Sequence, residues 1–303
     1  MPNPEKFLTA ATLAGLLLAT GASGAAVGLP FDHWFYFQTQ ASNVITWGGF
    51  NASTGDFLGE GVCVDPIVPV NDLSVDRDPV TQELYLLGNS GVYRNDFVAN
   101  RCELDQILAT ADFPASTVSL RGVSLNDDST ALYVLWFDGD SSAYVVSTVD
   151  LSTNMIVESL NLQSDDIIYT DAQLLTYFDG TFYIASSDNR LWEFDMISGN
   201  QVAVHAGPIG GETPLGLDRS SDGLLHEVVS LEGQQDVSFT TFNPSSESWS
   251  VLVPTTYPRM GYTYIEADPE LANTGVDSGG IALAAASLLA VGGAIALRRR
   301  ARR

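Results

Sequence analysis

Carboxylates dominate the reactive groups of this chain: 37 aspartates and glutamates stand against 13 lysines and arginines and three histidines. Two carboxyls flanking a glycosidic bond can divide the roles of acid and nucleophile, and several with carbonyl oxygens can hold calcium. The acids best placed for such work are in segments that read as loops. They are Asp65, Asp138, Asp140, Asp165, Asp166, Asp171, Asp188 and Glu212, with Phe113, Tyr169 and Tyr257 in neighbouring loops. Acids beside aromatic rings suit sugars, cationic peptides or calcium. Their spacing singles out no acid and nucleophile, so the sequence names no catalytic residue. Asp138-Gly139-Asp140 and Asp76-Arg77-Asp78 are fragments of calcium loops that do not continue into a twelve-residue ligand set. There is no nucleophile elbow, HExxH helix or phosphate loop. Cys63 and Cys102 with the scattered His33, His205 and His226 lack zinc spacing. The expectation is no metal and no cofactor, calcium being the one ion the loop acids would suit.

Three signals recur in order along the middle of the chain, and they define what would carry those loops. The first is a short apolar strand centred on Tyr36, Tyr85, Tyr133, Tyr183 and His226, at intervals of 49, 48, 50 and 43 residues. The second is an acidic turn, at Asp78-Pro79, Asp127-Asp128, Asp179-Gly180, Asp222-Gly223 and Asp268-Pro269. It precedes the first signal in four of the units. The third is a strand running into a Ser/Thr-rich turn, as in STVDLSTN (147–154) and WEFDMISGN (192–200). His226 takes the tyrosine position of its unit, which marks it as a strand residue and not a catalytic base. Apolar and polar residues alternate within these strands, the pattern of half-buried sheet. Four short antiparallel strands every 43 to 51 residues describe a β-propeller blade, and the region resembles bacterial β-propeller domains. A sandwich would account for the strands but not for the fixed order of signals. The fold expected is all-β: a propeller of four-stranded blades, five in preference to six. The first apolar-Tyr strand has no inner strand before it, and 262–266 has no second strand after it. These halves predict that 262–266 is the innermost strand of the blade formed by 34–64, closing the ring.

Only Glu5 and Asp277 among the acids lie outside residues 25–274, which leaves 35 there against seven arginines and no lysine. A surface so negative repels nucleic-acid phosphates and anionic lipid, so neither is an expected partner. Residues 7–20 are mostly apolar, follow Lys6 and lead into Ala22-Ser23-Gly24-Ala25-Ala26, the layout of a signal peptide over 1–24. Residues 281–297 are a second apolar run, about 26 Å long as a helix. It suffices for a short transmembrane span, and five arginines within 298–303 would hold its end in the cytoplasm. Export places both cysteines in an oxidising compartment, where Cys63 and Cys102 are expected to form a disulfide.

Before that run stand Leu271, Ala272, Asn273, Thr274 and Gly275, then a short polar spacer. This order of pentapeptide, spacer, apolar run and basic tail resembles the sorting signal of Gram-positive cell-wall-anchored surface proteins. Their usual pattern is Leu-Pro-x-Thr-Gly. Ala272 in place of proline is similar to the Leu-Ala-x-Thr-Gly variant handled by class E sortases of actinobacteria. The resemblance implies that a sortase cysteine attacks the Thr274 carbonyl, releases Gly275 onward and joins Thr274 to an amine of the wall peptide. The expected protein is therefore a secreted, wall-anchored propeller (31–269) that binds a surface ligand, whether glycan, wall polymer or protein. The alternative is an anchored carbohydrate hydrolase using carboxylates of the loop face. The candidate ligand residues are Asp138, Asp140, Asp165, Asp166, Tyr169, Asp188, Glu212 and Tyr257.

Overall fold

The computed structural model describes residues 32–40, 44–64, 74–79, 81, 83–88, 90–96, 103–164, 172–208, 212–231, 237–255 and 262–266. These residues form twenty strands. The first three are β1 (His33–Gln40), β2 (Val44–Asn51) and β3 (Phe57–Val64). Next come β4 (Val75–Arg77), β5 (Leu84–Gly88), β6 (Gly91–Asp96) and β7 (Glu103–Ala109). A 3₁₀ turn, Thr110–Asp112, leads to β8 (Thr117–Leu125), β9 (Ala131–Asp138), β10 (Ala143–Asp150) and β11 (Met155–Asn161). Then follow β12 (Ala172–Phe178), β13 (Thr181–Ser186), β14 (Arg190–Asp195) and β15 (Gln201–Ala206). The last are β16 (Glu212–Arg219), β17 (Leu225–Leu231), β18 (Val237–Asn243), β19 (Ser248–Thr255) and β20 (Tyr262–Ile265).

The strands pair as antiparallel four-strand units, the arrangement of a β-propeller. Three sheets, β4–β7, β8–β11 and β12–β15, have four strands each. The fourth runs β19-β18-β17-β16-β20-β1-β2-β3, two four-strand units joined by a single parallel pairing of Gly216 with Tyr262. The terminal pairing expected from the sequence is present: β20 lies antiparallel to β1, with Tyr264 opposite Trp34 and Tyr262 opposite Tyr36. First strands of successive units adjoin in a closed cycle, β4 to β8, β12, β16, β20 and back to β4.

The repeat signals map onto one row across the units. Tyr36, Tyr85, Tyr133, Tyr183 and His226 face Gly48, Arg94, Thr148, Glu193 and Thr241 on the third strands. The polar turns work by one device. Asn51, Asp150, Asp195 and Asn243 each accept two backbone N–H groups, from residues two and three ahead. Four residues on, Gly55, Asn154, Gly199 and Glu247 take positive φ of 51–69° to turn the chain back. This is why Asx residues and Ser/Thr recur there.

The cores lie between units. Tyr133, Leu135, Tyr144 and Val146 pack on Phe182, Ile184, Trp192 and Phe194 of the next sheet. Trp34, Tyr36, Phe50 and Tyr262 pack on Val228, Val237 and Phe239, so the head-to-tail unit is seated by large rings. Burying each such side chain stabilises the fold by about 1.5–3 kcal/mol. The signal segment, the sorting motif Leu271 to Gly275 and the run 281–297 lie outside the described residues. Among the described residues no helix is long and apolar enough to cross a membrane. Cys63 is placed in β3 opposite Ile45, and Cys102 lies outside the described residues.

Candidate functional site

The first strand of each unit has a full ladder partner on one side only, the single bridge between β16 and β20 apart. Its other edge faces the centre of the ring, where buried N–H groups need acceptors from side chains. Five polar residues, one per first strand, are buried there: Asp76, Ser124, Thr176 and Asp218, which face the tyrosine row of the second strands, and Thr263, one place along, which faces Phe35. Asp76 Oδ2 accepts the N–H of Leu125 (2.6 Å), and the hydroxyl of Ser74 accepts that of Val123 (3.1 Å). The Ser124 hydroxyl accepts the N–H of Tyr177 (2.9 Å). Asp218 Oδ2 accepts both the N–H of Tyr264 (2.8 Å) and the hydroxyl of Thr263 (2.6 Å). Side chains thus do between units what ladder bonds do within them.

Two arginines complete the ring. Arg219 reaches back to the carbonyls of Tyr177 and Asn126, pairs with Asp127 (2.9 Å) and lies over the Tyr177 ring. It therefore spans three first strands. Arg77 is buried in the field of Asp218 and Asp78; burial pulls its guanidinium down to about 10 against their attraction. Burial also raises Asp76, against the Leu125 N–H and the charge of Arg219. Asp218 is pushed up to about 7, first by burial and then by Asp76, with the Thr263 hydroxyl and two backbone N–H groups pulling the other way. The remaining oxygens, Asp76 Oδ1 and Asp218 Oδ1, accept the N–H groups of Arg77 (2.6 Å) and Arg219 (2.7 Å). Every oxygen of the two central carboxyls is occupied by a donor of the chain itself. The pair can hold a proton and ties first strands together.

At the joint of β16, β17 and β20, His226 stacks on Tyr264 at 3.7 Å and 5°. Its Nε2 meets the Ser220 hydroxyl at 2.9 Å, and that hydroxyl also donates to Asp222. The arrangement has the outline of a serine–histidine dyad. The same construction recurs six residues apart in the unit before, where Trp192 Nε1–H donates to Ser186 and Ser186 to Asp188. Tryptophan has no basic nitrogen, so the shared role is to fasten a turn. Burial holds His226 down to about 4 despite Asp222 and Asp32. It is a neutral strand residue, as its place in the repeat implies.

Two of the described loop acids, Asp138 and Asp188, are engaged within their own turns. Asp138 accepts the N–H groups of Asp140 and Ser141 and the Ser141 hydroxyl, and bonds with Ser116 and Ser141 hold it below the usual carboxylate range. Asp140 is exposed in the same turn. Asp188 pairs with Arg190 at 3.3 Å and with Ser186. Glu212 opens β16. Asp165, Asp166, Tyr169 and Tyr257 lie outside the described residues. Phe113, expected beside these acids as an aromatic ligand contact, is instead buried against Trp136 in the core. The 3₁₀ turn before it tucks its ring inward. Of the calcium-loop fragments, Asp76 belongs to the central ring and Asp78 caps the N–H of Thr81 (3.1 Å). Among the described residues no three His, Cys, Asp or Glu side chains converge as metal ligands.

No protein-family model matches the sequence, and no curated protein matches it. Among solved structures the chain is similar to hydrazine synthase of Kuenenia stuttgartiensis, at 16% identity over 61% of this chain and 50% of that one, with a TM-score of 0.41. It is similar to the WD40 repeats of RRP9 at 11% identity, covering 61% and 51%, TM-score 0.42. It is also similar to an oligogalacturonate lyase in complex with manganese at 17% identity, covering 74% and 67%, TM-score 0.40. The chain spans about half the length of the first two. Overlaps of this size carry no functional inference.

The central ring was missed in the sequence because its members are chemically unlike. A signal was present: each lies two to five residues before the acidic turn of its unit. Asp76-Arg77 and Asp218-Arg219 repeat as a dipeptide at that place.

Proposed function

We propose that this chain is an exported protein joined to a Gram-positive cell wall through Thr274, with a five-bladed propeller that binds a surface ligand. Its partners on this reading are a sortase of the class E type and the wall peptide, with a disulfide between Cys63 and Cys102. The cycle of five first strands supports the blade count, and the four-part order over 271–303 supports the anchor. The choice of binding over hydrolysis is carried by one observation. The two buried central carboxyls, whose proton affinities are shifted as a catalytic pair's would be, have all their oxygens bonded to the chain's own donors.

The anchor is tested by fractionating cells that express the protein or its Thr274→Ala variant. The unsubstituted chain is recovered only after wall digestion, and the variant in membrane or medium; equal fractionation refutes the anchor. The activity is tested by screening residues 31–269 against glycans and wall polymers while following hydrolysis in the same samples. Retention without new reducing ends is the expected result, and turnover abolished by Asp218→Asn would refute it.

A further inference from the structure

Both ends of the folded body leave through one face. β20 pairs in parallel with β16, so the two finish at the same end. There Glu266 accepts the N–H of Ser221 (2.5 Å), in the turn between β16 and β17. The start of β1 is at that end too, because the Asp32 carbonyl accepts the N–H of Ala52 (3.0 Å) in the turn after β2. Third-to-fourth-strand turns join first-to-second-strand turns there: Leu151 N–H donates to Thr130 (3.1 Å) and Met196 N–H to Gly180 (3.1 Å). Arg219 bridges the Asn126 and Tyr177 carbonyls at this same end and ties the ring across. The opposite face carries the second-to-third-strand turns, including Asp138, Asp140 and Asp188.

Thr274 is only eight residues beyond Glu266, a reach of at most about 28 Å when fully extended. A domain of about 240 residues is roughly 45 Å across. A tether shorter than the body that leaves beside the ring centre cannot let the body turn over.

We propose that the protein stands with the first-to-second and third-to-fourth turns against the wall and the second-to-third turns outward, so that its ligand arrives from solution and not from the polymer beneath. This rests on the wall-anchoring reading above. It is tested on the full chain with single substitutions in exposed turns, Asp140→Cys on one face and Ser245→Cys on the other. Thr153→Cys serves as a second variant of the latter face. Cells are fractionated first, then intact cells are treated with a bulky polyethylene-glycol maleimide, with the unsubstituted chain as background. Asp140→Cys is expected to label on intact cells, and Ser245→Cys and Thr153→Cys only after wall digestion. Equal labelling of both faces on intact cells, with the protein in the wall fraction, overturns the orientation alone. Recovery of the unsubstituted chain outside the wall fraction overturns the anchoring on which it rests.

Discussion

Asp218 and His226 hold the same closing strand, and burial acts on them with opposite signs. Asp218 binds Tyr264 and Thr263 of β20, and His226 stacks on Tyr264. Asp218 rises from 3.8 to about 7 on folding, so the folded state holds a proton that the unfolded chain has lost. Its contribution is full below about pH 4 and is lost as pH rises through about 7, a change of roughly 4 kcal/mol. His226 falls from 6.5 to about 4, so its contribution is full above about pH 6.5 and is lost as pH falls, a change of roughly 3 kcal/mol. The two slopes oppose each other across one window. Asp76, also raised by burial, adds to the falling slope, so each variant is read against the unsubstituted chain. Guanidinium unfolding followed by tryptophan fluorescence, between about pH 4 and pH 7.5, measures this directly. Asp218→Asn should keep its stability better than the unsubstituted chain as pH rises, by up to roughly 4 kcal/mol. His226→Gln, which keeps an N–H for Ser220, should lose more stability than the unsubstituted chain over the same range, by roughly 3 kcal/mol. The general repulsion among surface acids is common to all three proteins and drops out of the differences. A pH dependence in Asp218→Asn equal to that of the unsubstituted chain would refute the buried proton-holding aspartate, and one in His226→Gln equal to it would refute the buried neutral histidine.

Other perturbations test the ring and the turns. Arg219→Met removes the bonds to the Tyr177 and Asn126 carbonyls and a compensating charge for Asp76, and should cost about 2–4 kcal/mol. In a calorimetric scan that is a fall in Tm of about 5–15 °C. Arg219→Lys should not restore it, because an ammonium lacks the planar fork that spans both carbonyls. Gly216→Ala places a Cβ 2.4 Å from that of Tyr262 and 2.9 Å from its carbonyl oxygen, so β20 must shift, at about 1–3 kcal/mol by denaturant titration. Asn51→Ala removes the acceptor for Ser53 and Thr54 N–H and should lower stability by about 1 kcal/mol.

The strands were legible because one physical requirement recurs with little freedom of chemistry. The slot of Tyr36, Tyr85, Tyr133 and Tyr183 needs a large ring between sheets, and four of five units use the same residue, with His226 filling the fifth. The turns were legible because an Asx acceptor followed by a positive φ allows few residue types. The ring centre imposes a looser requirement: any buried acceptor will serve an unpaired N–H. Aspartate, serine and threonine all meet it, so no single residue type recurs, and Asp76 read as part of a calcium loop. The loop acids misled in the opposite way. Asp138 and Asp188 have the chemistry of a ligand face, but a carboxylate after a strand most often closes its own turn. Sequence alone does not distinguish the two.

The joint between the units β20-β1-β2-β3 and β4–β7 carries the last prediction. At the joint between the second and third sheets, the chain beyond β11 pairs with the start of β15: Gln163 N–H donates to the Gly199 carbonyl (2.8 Å) and Gln201 N–H to the Gln163 carbonyl (3.0 Å). Gly199 lies so close to Asn161 that a Cβ there would meet its carbonyl oxygen. Cys63 and Cys102 correspond to these positions. Asn161 is three residues beyond Glu158, which faces Thr148; Cys63 is three beyond Glu60, which faces Gly48 in the same row. Asp195 is bonded to Asn200, the residue after Gly199, and Asp96 faces Glu103, the residue after Cys102. A disulfide would fasten the terminal joint at the place where the other is fastened by backbone. Unreduced, denatured protein should show no free thiol by Ellman titration, and peptide mapping should recover one cross-link. Reduction opens a loop of about 40 residues, which should cost about 3–5 kcal/mol of stability. Two free thiols in exported protein would refute the pairing.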